Sequence, residues 1–105
     1  MNPKVMEIVI FKTKDSVSDD VMKKAVKKTN PVLDKINGFL SRQLGTTQNR
    51  EQWADILYWQ DLKSAQEATS IFMEHPDCQE FISLVEEKEV QMIHLDLLIG
   101  VPPLK

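Results

Sequence analysis

The chain has 105 residues, 42% of them apolar and 28% charged, with a formal net charge of −3 at pH 7. This is one domain's worth of sequence at globular composition; the mildly acidic balance, without a basic stripe, argues against a nucleic-acid partner. Apolar runs such as Ile8 to Phe11 fall far short of the ~20 residues that span a bilayer, the N-terminus lacks the apolar core of a secretory signal, and the lone Cys78 has no internal disulfide partner, so we expect a cytoplasmic protein that engages no membrane.

Residues 4–12, Lys-Val-Met-Glu-Ile-Val-Ile-Phe-Lys, read as a strand, being rich in β-branched and aromatic side chains. Met6, Ile8 and Ile10 make one apolar face; Val5, Glu7, Val9 and Phe11 make the other. A strand apolar on both sides is covered on both sides. Residues 16–36 read as a helix. Ser16 or Ser18 caps it, Asp19 and Asp20 suit the positive end of its dipole, and Met22, Ala25, Val26, Thr29, Leu33 and Ile36 form its buried stripe. Pro31 removes a backbone donor and predicts a kink or break near Asn30, and Gly38 supplies a stop.

Residues 39–47 and 53–60 read as two strands joined by a several-residue polar hairpin loop. Asp61 caps a helix over residues 63–73, with Ala65, Ala68, Ile71 and Phe72 facing inward. His75-Pro76-Asp77 ends that helix and starts another, whose inner residues are Phe81, Ile82 and Val85, because proline is welcome at a first helical position. A charged exit, residues 86–89, leads to a last strand over residues 90–99, and Gly100-Val101-Pro102-Pro103 closes the chain as a tail. The order strand, helix, strand, strand, helix pair, strand predicts a ferredoxin-like α+β domain. Its antiparallel sheet runs in the order fourth, first, third, second strand, with both helical layers on one face.

Alternation divides each strand into two faces. In the last strand Ile93, Leu95, Leu97 and Ile99 are purely aliphatic, and we expect them, with Met6, Ile8, Ile10, Ala54, Ile56 and Tyr58, to pack under the helices. The expected helix-free face then carries Val5, Val9, Phe11, Trp53, Leu57, Trp59, Met92 and Leu98, with Glu7, Asp55, His94 and Asp96 embedded in it. An apolar patch of that extent marks an interface or a ligand site. An isologous homodimer is the commonest solution.

The stretch Trp53 to Ala65, Trp-Ala-Asp-Ile-Leu-Tyr-Trp-Gln-Asp-Leu-Lys-Ser-Ala, followed by His75-Pro76-Asp77-Cys78-Gln79-Glu80-Phe81, resembles the dimeric α+β barrel superfamily, and more narrowly its antibiotic biosynthesis monooxygenase-like group. Trp59, Ala65 and Phe81 occupy the matching places, and Gly38-Phe39 matches the start of the second strand. The resemblance implies the ferredoxin-like fold and a homodimer. It does not extend to the haem-degrading branch, which uses an asparagine on the first strand and a histidine on the second helical region. This chain has neither at those places. Cofactor-independent relatives bind a phenolic substrate among aromatic and polar groups and let it react with oxygen.

The expected function is therefore a small-molecule cavity, between sheet and helices or between two sheets, in a monooxygenase-like enzyme without a cofactor. Its ligand would be an aromatic or otherwise apolar compound. His94 and Asp55 are the expected catalytic acid–base groups, because a carboxylate beside a histidine orients it as a base. Glu7, Trp53, Trp59 and Asp96 are the expected substrate-binding groups. The alternative is a ligand-binding or structural dimer module without turnover, with the same polar residues forming buried pairs. With a single histidine on that face we expect no metal site.

Overall fold

The computed structural model describes residues 4–15 and 17–100. Strand β1 (Val5–Phe11) leads to helix α1 (Asp19–Asp34), the hairpin β2 (Phe39–Thr46) and β3 (Trp53–Trp59), helix α2 (Leu62–Glu74), a 3-10 turn (Pro76–Cys78), helix α3 (Gln79–Leu84), a second 3-10 turn (Glu87–Glu89) and strand β4 (Gln91–Asp96). The sheet is antiparallel in the order β2-β3-β1-β4. This is the expected ferredoxin-like βαββαβ arrangement.

Local chemistry sets the boundaries. Ser18 Oγ accepts from the Val21 N–H at 3.2 Å and begins α1; the other candidate cap, Ser16, lies outside the described residues, as does the Val101-Pro102-Pro103 part of the expected tail. Asp61 Oδ1 accepts from the Ser64 N–H at 2.7 Å and begins α2. Pro31 does not break α1, which continues to Asp34. The helix tolerates the missing donor because Val32 and Leu33, directly after it, are buried, and Leu33 packs against Val5, Leu57 and Trp59 of the sheet.

Gly38 ends α1's exit turn at φ 92°. A Cβ there would also collide with the Ser64 side chain at the start of α2. Gly38→Ala should therefore lower stability by about 1–3 kcal/mol through strain and overlap together. A urea midpoint equal to the parent's would contradict this.

The two sheet faces are the reverse of the expectation. Val5, Glu7, Phe11, Trp53, Asp55, Leu57 and Trp59 are buried beneath the helices. They form two clusters, one of Val5, Leu57 and Trp59 with Leu33, Ile36, Ala65 and Ala68, the other of Phe11 and Trp53 with Met22, Ala25, Val26 and Phe81. The aliphatic set is the open face: Met6, Ile8, Ile10, Ala54, Ile56 and Tyr58 are only partly covered, and Ile93 and Leu95 are exposed. Large rings need the depth between sheet and helices, whereas short branched chains make a flat surface suited to another sheet. The reversal still leaves an apolar face open, the kind of surface that a partner covers.

Candidate functional site

A pocket of about 400 Å³ lies between the sheet and the helices. Its floor is the helix-side face of β1 and β3: Glu7, Val9, Phe11, Asp55, Leu57 and Trp59. Ala68, Thr69, Phe72 and Met73 of α2 and Phe81, Ile82 and Ser83 of α3 form the roof. Lys14, Glu87, Val90 and Met92 stand at its more exposed side. The volume suits a small organic ligand.

Two buried carboxyls reach this largely apolar space, and each has a different partner. Glu7 is 6% exposed. It sits opposite His94 in the β1–β4 register, and His94 Nε2 lies 3.2 Å from Glu7 Oε1. Burial is the main cause that pushes the Glu7 carboxyl above its ordinary value. The hydrogen bond and charge of His94 oppose the rise, and the nearby Asp55 charge adds to it. Asp55, 5% exposed, is gripped by Arg42 of β2 through two hydrogen bonds, Nε to Oδ1 at 2.8 Å and Nη2 to Oδ2 at 2.6 Å.

The expected pairing of His94 with Asp55 is thus replaced by His94 with Glu7. The register explains it: His94 lies directly across from Glu7, whereas Asp55 lies across from Val9 on the far side of β1. Trp59 lines the pocket. Its Nε1 is buried without a hydrogen-bond partner among the described residues; it lies near enough to Glu7 to favour the carboxylate, but outside hydrogen-bond geometry. Trp53 does not line the pocket and stacks on Phe11 at 6.4 Å between ring centroids. Asp96 is exposed at the end of β4, outside the pocket lining. Among the described residues no group of three or more His, Cys, Asp and Glu side chains converges as a metal site would require. No helix among them is long and apolar enough to cross a membrane.

Arg42 is the residue that sequence reasoning missed. It shares the helix-side face of β2 with Leu44 and Thr46, each of the three paired with a buried β3 residue. A lone cation on an otherwise inward-facing set, one strand away from a buried carboxylate, was the available signal.

The fold is the ferredoxin-like one of several solved structures. SnoaB from Streptomyces nogalater, a cofactor-independent oxygenase, matches with a TM-score of 0.72 at 12% identity over 95% of this chain and 98% of that one. A putative antibiotic biosynthesis monooxygenase from Bordetella bronchiseptica matches at 0.68 and 16% identity over 92% and 99%. A dimeric ferredoxin-like protein of unknown function from Jannaschia matches at 0.62 and 11% identity over 89% and 98%. At such identities the likeness is one of fold. No protein-family model matches the sequence, and neither does any curated protein.

Proposed function

We propose that the chain is a homodimeric, monooxygenase-like enzyme that acts on an aromatic or otherwise apolar compound using its own side chains and no cofactor. The observation that carries this reading is the buried Glu7 carboxyl at the floor of an apolar pocket, with the half-buried His94, outside the pocket lining, 3.2 Å from it. A carboxyl whose proton affinity is raised by burial is a stronger base than an exposed one, and perturbed groups in a pocket are functional candidates. The oxygenase fold neighbours support the reaction class.

The chemistry suited to such a base begins with an acidic hydrogen on a phenol-bearing ring system, such as the CH2 of a hydroxyanthrone. Glu7 takes the proton, with His94 sharing the hydrogen bond, and the electron pair left behind spreads onto the ring oxygens. The unpaired Trp59 N–H is a donor for one of those oxygens. The carbanion then reduces oxygen, forming a C–O bond, and the peroxide takes a proton. Loss of water leaves a carbonyl. The balance is CH2 + O2 → C=O + H2O, with the substrate as sole reductant.

The test is oxygen uptake by the purified protein with 1,8-dihydroxyanthrone, followed together with absorbance of the quinone. Uptake well above the buffer rate, in a one-to-one ratio with quinone, is expected. Tight binding of the probe without uptake would instead identify a ligand-binding module.

A further inference from the structure

We propose that Arg42 and Asp55 form a positioning pair: Arg42 holds Asp55 as a fixed negative charge in the pocket wall, and that charge makes the Glu7–His94 pair a stronger proton acceptor. The inference rests on the reading of Glu7–His94 as the site's proton acceptor.

Hydrogen-bond accounting comes first. Both Asp55 oxygens accept from the guanidinium. The rest of Arg42 is equally engaged, since Nη1 donates to Thr29 Oγ1, to Asn30 Oδ1 at 3.1 Å and to the Val26 carbonyl at 3.4 Å, all on α1. Its guanidinium also lies 5.7 Å from the centre of the Phe81 ring. Asp55 is therefore committed on both oxygens and is not the group that exchanges a proton with a ligand. Its carboxylate nevertheless lies in the pocket wall on the strand next to Glu7, while the guanidinium that balances it comes from β2, one strand further away.

Both side chains of the pair are more than nine-tenths buried. Such a pair stabilises a fold little, or less than an apolar pair of the same volume, because desolvation offsets the attraction. Packing alone thus gives little reason for an aspartate here. Geometry supplies one. Asp55 and Glu7 project from neighbouring strands onto the same face, on diagonal positions of the β1–β3 register, a spacing of roughly 7–8 Å between backbones. In an apolar surrounding a negative charge at that range disfavours a second one, so Glu7 keeps a proton more firmly. The Asp55 charge acts in that direction on Glu7. The other ionisable groups facing Glu7 are few. His94 comes from β4, while Lys14 and Glu87 line the pocket from positions exposed to solvent, where water screens them. From α1 and α2 the pocket lining carries no ionisable side chain.

The experiment is a pH titration of the Glu7 carboxyl carbon by 13C NMR in the ligand-free protein. The comparison is between the parent, Asp55→Asn and the double variant Arg42→Met with Asp55→Leu. The midpoint should fall in both variants. The double variant carries the test if Asp55→Asn, which leaves Arg42 half-partnered, does not fold. Glu67→Gln, outside this pocket, should leave the midpoint in place. A midpoint unmoved or raised in the folded variants overturns the proposal, because a merely structural pair would not shift it. The titration needs no turnover. A falling midpoint in a protein that fails to oxidise the anthrone would sink the oxygenase reading and leave this one standing. If the anthrone is oxidised, the variants should lose up to about tenfold in rate per unit of fall.

Discussion

Ile8→Lys should convert a two-chain species into a monomer of 12.1 kDa by sedimentation at micromolar concentration, with an unchanged far-UV circular dichroism spectrum. Ile8 is the centre of the open face, flanked by Ile56 of β3 and Ile93 of β4 in the two registers. Ile93 and Leu95 are each 44% exposed in the single chain. A face of this kind is left to water only at a cost of about 25 cal/mol per Å². An ordinary specific dimer buries ~800 Å² per partner. In an isologous interface the substitution enters twice. An unpaired buried charge costs roughly 3–5 kcal/mol, so two cost roughly 6–10 kcal/mol, enough to cancel most or all of the ~8 kcal/mol of a micromolar dimer. Within the single chain the lysine still reaches solvent, which is why the fold survives. A parent protein that sediments as a monomer, or a variant that stays dimeric, removes the homodimer from the proposed function.

Gly45 belongs to the same argument. It lies on the open side of β2 opposite Ala54, and a Cβ there would meet nothing within 4 Å among the described residues. A strand glycine without a local reason fits close approach by another backbone.

The element order, the sheet order and the capping residues were legible because each rests on a local rule: alternation, a hydroxyl or carboxylate before a helix, a glycine or proline at its end. The choice of face was not. Both sides of β1 and β3 are apolar, so alternation sorts residues into two sets without saying which set the helices cover. The aliphatic purity of Ile93 and Leu95 suggested a core, yet a sheet-to-sheet interface asks for the same chemistry. Alternation sorted Glu7 and Asp55 into the set opposite the aliphatic one, and so onto the expected open face. The structure buries both and gives each a partner. Pocket membership was legible for Glu7, Asp55 and Trp59, which do share one face. The Arg42–Asp55 pair was not, since Arg42 reaches that carboxyl from β2, at the sheet edge away from His94.

Glu7→Gln should lower oxidation of the anthrone by about 10²–10⁴-fold, the usual contribution of a positioned general base, while leaving probe binding close to the parent's. Glutamine keeps the shape and a hydrogen bond to His94 but cannot accept the proton. His94→Asn should cost less, because Glu7 remains. Since the base must be ionised to act, the parent's rate should rise with pH through the raised Glu7 midpoint. Stability carries the opposite sign. The folded state holds the Glu7 proton more tightly than the unfolded chain, whose ordinary value is 4.5. The stabilisation is therefore fully present below pH 4.5 and is lost as pH rises through the folded value. Glu7→Gln has no such loss. Its urea midpoint should gain on the parent's as pH rises from 4.5 through the folded Glu7 value, so that the inactive variant is relatively the more stable one where the parent is most active. That trade is the mark of a group kept for function at a cost in stability. A stability gap that does not change with pH would show that Glu7 titrates alike in both states, and the acid–base role would then have no physical basis.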